Sequence, residues 1–261
     1  MDLKLNNKVI IVTGGAGFTG SIGEVTVRHI AAEGGIPVII DKSERGFQLE
    51  KRLAEQGQEA FFVQADLTTE EGCHKAVGKT AQTYGRIEGI VNNLGVNDGV
   101  GFEHSYDAFI DSLKLNLVHF FEVTKAALPW LKKSGGPVIN IASKVALTGQ
   151  GGTSGYAAAK GGVLALTREW ALELRESGIR VNAVVVAESM TPAYREWLDT
   201  FDNPEQARET ITSKIPLGQR MTEPSEIADM VLFLLSARSS HTTGQILHVD
   251  GGYVHLDRAI T

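Results

Sequence analysis

Seven short runs of β-branched and aliphatic residues recur along the chain: VIIV (9–12), IPVII (36–40), AFFVQA (60–65), IEGIVN (87–92), PVINIA (137–142), IRVNAVVV (179–186) and QILHV (245–249). Longer stretches with apolar residues at helical spacing separate them, among them EVTVRHIAAEGG and SERGFQLEKRLAEQG, which both stop at glycine. Strands that alternate with helices pair in parallel, because each helix supplies the crossover a parallel pair requires. A parallel sheet is then buried on both faces by those helices. The pattern predicts an α/β fold. With no repeat, low-complexity linker or compositional break, it also predicts a single domain over residues 1–261. Residues 187–214 resist the pattern, mixing Pro192, Pro204, Trp197 and many charges between a strand and the next regular element. An irregular stretch of that length inside a domain is usually functional, and a substrate loop is expected there.

Charge and cysteine content exclude several functions. The formal net charge of −6 is spread along the chain, with no basic stripe to neutralise the phosphates of a polynucleotide, so nucleic acid is not an expected partner. The single cysteine, Cys73, cannot form an internal disulfide. The N-terminal MDLKLNNK lacks an apolar signal core, and no run approaches the ~18 apolar residues of a membrane span, so no membrane contact and a cytoplasmic location are expected. No metal is expected either, since the seven histidines include no pair at a ligand spacing such as HExxH.

The stretch TGGAGFTGSIG (13–23) holds five glycines directly after the first apolar run. A glycine-rich turn between a first strand and a first helix lets backbone amides and the helix N-terminus approach a pyrophosphate. Asp41 ends the second run, where a carboxylate accepts from a ribose 2′-OH and repels a 2′-phosphate. That favours NAD over NADP, with Lys42 and Arg45 as the basic residues able to reverse the preference. Asp66 and Leu67 follow the third run and Asn92, Asn93, Leu94 and Gly95 the fourth, at strand ends where open α/β sheets bind ligands. Asp66 read alone is equally an N-cap of the next helix, and the two asparagines equally turn residues.

Ser143, Tyr156 and Lys160 carry the chemistry. In YAAAK the tyrosine and lysine are four apart, on one face of a helix beginning near Ser154. A nearby ammonium favours the phenolate and is expected to lower the tyrosine pKa, making the pair a general base. Ser143 ends the fifth run, positioned to bind the oxygen that changes protonation. Asn116 is an amide within the apolar helical stretch SLKLNLVHFF, where it requires polar partners.

Together, the glycine loop, Asp41, Asp66-Leu67, NNLG, Asn116, Ser143 thirteen residues before Tyr156, Lys160, RVNAV, PLGQR and TGQILHVDGG resemble the short-chain dehydrogenase/reductase family over essentially the whole chain. The resemblance implies a Rossmann-like, doubly wound parallel seven-stranded sheet, a nicotinamide cofactor and a tetrad of Asn116, Ser143, Tyr156 and Lys160. It assigns cofactor contacts to Gly14, Gly20, Ser21, Ile22, Gly23, Asp41, Asp66, Leu67, Asn93, Gly95, Tyr156, Lys160 and Thr191. Relative to the family loop TGxxxGxG, this one is three residues longer, so Gly14 and Gly23 match while the middle position falls on Ser21 or on Gly20 beside it. Leu94 replaces a small alanine, and Val186-Ala187 replaces Pro-Gly, with Glu188 following.

The expected substrate end is polar: Asn97, Asp98, Ser143, Gln150, Tyr156 and Glu188, with Trp197 as an apolar face for a sugar ring. His104 and Arg195 lie in the same stretches and read more simply as solvated loop residues. A steroid or acyl pocket would be mainly apolar, so a polyol or sugar fits better. GVNDGVG, TGQGGTSGY, AESMTPAYREW and HTTGQILHVDGGYVHLDRAI are similar to bacterial L-fucose dehydrogenases of the family. That implies NAD-dependent oxidation of L-fucose, or an aldose like D-arabinose, at the anomeric carbon to a lactone. The alternatives are a 3-oxoacyl reductase or alcohol/polyol dehydrogenase, and a non-catalytic nucleotide-binding regulator. The resemblance also implies a homotetramer, and the tail from Tyr253 to Thr261, with His255 and Asp257, is expected to reach a neighbouring site.

Overall fold

All seven apolar runs form strands of one parallel sheet in the computed structural model, which describes residues 2–256. Along the chain these are β1 (Val9–Thr13), β2 (Ile36–Asp41), β3 (Phe61–Gln64), β4 (Gly89–Asn92), β5 (Val138–Ser143), β6 (Val181–Val186) and β7 (Ile246–Val249). The helices between them are α1 (Ile22–Ala32), α2 (Arg45–Glu55), α3 (Glu70–Tyr84), α4 (Tyr106–Leu113), α5 (His119–Ser134), α6 (Ser154–Glu173), α7 (Pro192–Leu198), α8 (Pro204–Thr212) and α9 (Pro224–Leu235). The strand order is β3-β2-β1-β4-β5-β6-β7. The direction of winding reverses between β1 and β4, so the crevice at their C-terminal ends is the topological switch point where such sheets bind ligands.

Alternate residues of each strand feed two cores. Val9 and Ile11 of β1 join Val38 and Ile40 of β2 and the inner faces of α3, α5 and α6, including Val77, Phe120 and Val163. Ile10, Val12 and Ile39 face the other way, onto Val27 and Ile30 of α1, Leu49 and Leu53 of α2, and Ile227 and Val231 of α9. This period of two is why the strands read as unbroken apolar runs: both of their faces are buried. α3 stops at Gly85, whose φ of 66° is the left-handed cap geometry glycine adopts without strain.

Two local features differ from the sequence reading. The stretch 187–214 is not an irregular loop, since it contains α7 and α8, each opened by a proline in its first turn. Pro192 and Pro204 look like breakers in sequence, but a first-turn proline removes only an N–H that has no intrahelical partner. This segment carries a small apolar cluster of its own, built on Leu198, Ile215 and Met221, with Tyr194 and Tyr253 against it. Between α4 and α5, residues Lys114–Val118 wind as a π-helical turn that contains Asn116. Among the described residues no helix is long and apolar enough to cross a membrane.

Candidate active site

A cleft of about 360 Å³ opens over the C-terminal strand ends, from Asp41 and Arg45 beyond β2 to Ser143, Tyr156 and Thr191 beyond β5 and β6. The glycine loop forms its floor. Gly14 has φ 65°, and a Cβ there would lie 2.9 Å from Leu94 Cα. At Gly23 a Cβ would fall 2.3 Å from the Gly14 carbonyl oxygen. Both glycines therefore let the loop fold against itself and against the segment after β4. Asn93 locks that contact: its side-chain amide donates to the Thr13 and Gly14 carbonyls at 2.9 and 3.3 Å, and its backbone N–H donates to Thr13 Oγ1 at 2.9 Å.

The longer part of the loop is held by a residue that sequence reasoning missed. Glu24, with its side chain 2% exposed, accepts from the Gly20 N–H at 3.0 Å and pairs with Arg28 Nε at 3.0 Å. Its only sequence signal is the i,i+4 spacing to Arg28. Ser21 is the N-cap of α1, and Ile22 its first residue. The Ser21 hydroxyl makes no cap bond, and its oxygen is buried without a partner while the residue lines the cleft. A buried hydroxyl left unpaired at the positive end of a helix is a ready anion donor. The cradle thus fits the pyrophosphate of a dinucleotide. Gly20 itself adopts φ 90° and leaves a neighbouring Cβ position open except for Pro192 Cγ at 3.9 Å.

Asp41 accepts from the Ala16 N–H at 3.1 Å through one oxygen and from the Ser43 N–H at 3.0 Å through the other. Each oxygen can accept a second bond, and Asp41 lines the cleft. Arg45 donates from Nε to the Ala16 carbonyl at 3.3 Å and lies 4.2 Å from the Phe18 ring centroid, while Lys42 is exposed.

At the other end, Tyr156 and Lys160 project from one face of α6. Lys160 is 2% exposed, and its ammonium donates to the Ile141 carbonyl at 2.9 Å. Burial pulls its pKa down to about 7. The Tyr156 phenol departs from the expectation, because burial raises its pKa, a hydrogen bond from Ser143 lowers it, and the Asp98 charge raises it. Desolvating a phenolate costs more here than the Ser143 hydrogen bond returns. Asn116 is fully buried in its π turn; Oδ1 accepts from the Val96 N–H at 2.8 Å and Nδ2 donates to the Ser112 carbonyl at 3.1 Å. A Cβ on Gly95 would stand 3.0 Å from both Asn116 Oδ1 and Lys160 Nζ, so Gly95 is the point where these two groups converge.

Beneath them, Asn92 Nδ2 donates to Thr124 Oγ1 at 3.1 Å and Asn140 Oδ1 at 3.0 Å, and Asn140 Nδ2 donates to Thr167 Oγ1 at 3.0 Å. That buried network ties β4 and β5 to α5 and α6 and accounts for Asn92 structurally. His119, another residue without a sequence signal, is 1% exposed at the start of α5, and burial followed by the Lys160 charge drives its pKa to about 3.

Other candidates are not themselves among the lining residues, although Glu188 directly follows Val186 and Ala187, which are. Asp66 Oδ1 takes the Thr68 N–H and hydroxyl at 2.9 and 2.7 Å, which lowers its pKa. Thr69, not Asp66, caps α3, since its side chain accepts from the Gly72 N–H at 3.1 Å. Leu67 is core. Asn97 closes a turn onto the Gly99 N–H at 3.3 Å, His104 Nδ1 accepts from the Gly101 N–H at 3.3 Å, and Gln150 and Arg195 are exposed. Trp197, 47% exposed, stacks edge-on with Tyr194 at 5.1 Å and Phe201 at 4.9 Å. Glu188 is not a free carboxylate: it pairs with Lys144 and accepts from the Tyr194 hydroxyl at 2.6 Å. Asp257 lies outside the described residues. Glu70, His74 and Glu122 bring ligand atoms within 4.8 Å of one another, with His74 at 3.5 Å and Lys125 at 3.6 Å from the same Glu122 oxygen. The ammonium already supplies that carboxylate with a positive charge.

A helix N-terminus at the switch point and a serine, tyrosine and lysine at the far strand ends make this an α/β oxidoreductase that works with a nucleotide. Comparison with known proteins agrees. The family described as Enoyl-(Acyl carrier protein) reductase matches residues 15–254. The 3-oxoacyl-[acyl-carrier-protein] reductase FabG of Thermotoga maritima is 37% identical over 259 residues, covering 97% of this chain and 100% of the relative. The L-fucose dehydrogenase of Bos taurus is also 37% identical, over 255 residues, covering 97% of this chain and 91% of its own. The crystal structure of Cj0485 dehydrogenase superposes with a TM-score of 0.93 at 47% identity, over 100% of this chain and 99% of that one. The chain belongs to the short-chain dehydrogenase/reductase family, whose members bind NAD(P) and act on alcohols and ketones.

Proposed function

We propose that the protein oxidises a sugar hydroxyl with NAD, on L-fucose or an aldose like D-arabinose, converting the anomeric carbon to a lactone. The observation that carries this reading is the polarity of the rim beside Ser143: Asp98 acts electrostatically on Tyr156, and a buried Lys144–Glu188 pair stands next in chain to the reacting end. An acyl chain laid against such groups would gain no hydrogen bond from them and would strip water from their remaining donors and acceptors. The L-fucose dehydrogenase relative supports the sugar, and Asp41 supports NAD through the lone pairs it offers a ribose diol.

Gly14, Ser21, Gly23, Asp41 and Gly95 would hold the dinucleotide, with Thr191 beside them. A bound nicotinamide supplies a two-electron acceptor for the hydrogen on the substrate carbon. Tyr156 takes the hydroxyl proton, and Ser143 holds the same oxygen through its hydroxyl as charge develops there. Lys160 Nζ lies 5.7 Å from the Tyr156 ring centroid, where its positive charge favours the phenolate form. Asn116 fixes the Val96 backbone and with it the wall facing Lys160.

The 3-oxoacyl reductase is the second reading, since the Thermotoga maritima relative is as similar as the bovine one. One panel separates the two. Initial rates are followed by nicotinamide absorbance with NAD and NADP against L-fucose, D-arabinose, L-galactose and D-glucose, and in the reducing direction against an acetoacetyl thioester. NAD reduction by the first two sugars with no thioester turnover supports the proposal; NADPH-dependent thioester reduction with silence on every sugar overturns it. For assembly we propose several copies meeting through α5 and α6, where Phe121 and Leu172 are exposed, and light scattering tests this.

A further inference from the structure

The sheet register sets Ser143 of β5 opposite Val186 of β6, so Lys144 and the pair 187–188 leave the sheet side by side at the Tyr156 end of the cleft. There Lys144 is ion-paired with Glu188, and the other Glu188 oxygen accepts from the Tyr194 hydroxyl at 2.6 Å. The Lys144 ammonium also lies 4.6 Å from the Tyr253 ring centroid. Thr191, Pro192 and Ala193, the residues leading into Tyr194, line the cleft. The ion pair is deeply placed, with side-chain exposures of 15% and 9%.

The architecture does not account for these charges. The β5 and β6 ends are already paired through Ser143 and Val186, and the segment bearing α7 and α8 has its own apolar cluster. A buried ion pair adds little net stability, because desolvation cancels most of its attraction. Its chemistry is better explained by a ligand. Each carboxylate oxygen can accept two bonds, with Lys144 supplying one to one oxygen and Tyr194 one to the other, the Tyr194 hydroxyl donates and has acceptor lone pairs, and the ammonium carries three donors. Alternating donors and acceptors of this kind match vicinal hydroxyls, each of which both donates and accepts. Trp197, packed edge-on to Tyr194, extends the group with an apolar face.

We propose that Lys144, Glu188 and Tyr194 are the specificity-determining group of the site, binding the non-reacting hydroxyls of a cyclic polyhydroxy substrate and selecting against rings that lack them. The inference rests on the sugar reading above and goes further by assigning recognition to two residues, Lys144 and Tyr194, that carry no sequence motif. Sites built to bond hydroxyls reject analogues that lack them by large factors, because their own polar groups are then left unpaired.

The test compares L-fucose with 2-hydroxytetrahydropyran, the same ring with only the anomeric hydroxyl, through the ratio of their kcat/KM values. The unsubstituted enzyme is expected to favour L-fucose at least ~100-fold, Tyr194→Phe to reduce that ratio about tenfold, and Glu188→Gln to reduce it about fiftyfold, chiefly through KM. The double variant Lys144→Met/Glu188→Gln removes both charges and so leaves neither stranded. Its ratio stays collapsed if the pair reads hydroxyls, whereas recovery of the parental ratio shows a purely structural pair and overturns the proposal. Equal losses on both substrates, or an unchanged ratio in all variants, overturn it as well. If the unsubstituted enzyme turns over no aldose at all, the sugar reading falls first and this inference with it, before any variant is made.

Discussion

Lys160 is 2% exposed and donates to the neutral Ile141 carbonyl, so among the described residues its bonded partner carries no charge. Burial lowers its pKa from 10.5 to about 7. Between those two values the unfolded chain keeps a proton that the folded chain has released, so stability must rise with pH across that window. Each unit of pH within it corresponds to about 1.4 kcal/mol, less close to its ends. From pH 7 to pH 9 the folded protein therefore gains about 2 kcal/mol from this one group. Lys160→Met keeps the length of the side chain and removes the titration. The variant is expected to be more stable than the parent at pH 7, with the advantage shrinking by about 2 kcal/mol at pH 9. Urea unfolding of the nucleotide-free proteins at both pH values, at one ionic strength, measures this. Taking the difference between the two proteins cancels every other titrating group. A difference that stays constant within ~0.5 kcal/mol refutes the reasoning, for it would mean that the ammonium remains charged and solvated in the folded state.

Tyr156→Phe removes the phenol oxygen that is hydrogen-bonded with Ser143, and turnover should fall by ~1000-fold while nucleotide affinity, read by fluorescence titration, changes less than about twofold. Gly23→Ala puts a methyl 2.3 Å from the Gly14 carbonyl oxygen, so thermal unfolding should shift down by an amount equivalent to about 1–3 kcal/mol; an unshifted melting curve would show that the loop yields to the methyl without cost. Asp41→Ala should lower the kcat/KM preference for NAD over NADP by about tenfold. Because Asp41 also accepts from the Ala16 N–H, equal weakening of both cofactors would instead assign it to loop support alone.

The fold was legible because its signal is periodic. Ile10 and Ile11 point to opposite cores, as do Ile39 and Ile40, so each strand reads as an unbroken apolar run, and the helices between runs imply parallel pairing although not the strand order. Boundaries were less visible where a residue has two uses. Pro192 and Pro204 break a helix from within but open one at its first turn, and sequence does not distinguish the two until the preceding cap is known: Thr191 accepts from the Tyr194 N–H at 3.2 Å, and Asn203 from the Gln206 N–H at 3.1 Å. Likewise Asp66 and Thr69 are both good caps, and only the backbone at Thr69, with φ −117° and ψ 145°, selects the threonine.

Within the site, groups set by spacing on one element were readable, and groups set by partners from elsewhere were not. Tyr156 and Lys160 are a fixed helical turn apart, so their shared face follows from the interval alone. The sign of the Tyr156 shift does not, because it depends on how deeply α6 packs and on Asp98, which arrives from the β4 side. Glu188 shows the same limit. Its acidity and its position after β6 marked it as a polar residue near the substrate, but whether it faces a ligand alone or stands paired depends on Lys144 and Tyr194. They are 44 residues before it and 6 after it. A lone carboxylate would attract any hydroxyl or cation, whereas a carboxylate held between an ammonium and a phenol presents donors and an acceptor in fixed directions. Under the recognition proposed above, that fixed arrangement is what would separate rings that differ only in where their hydroxyls stand.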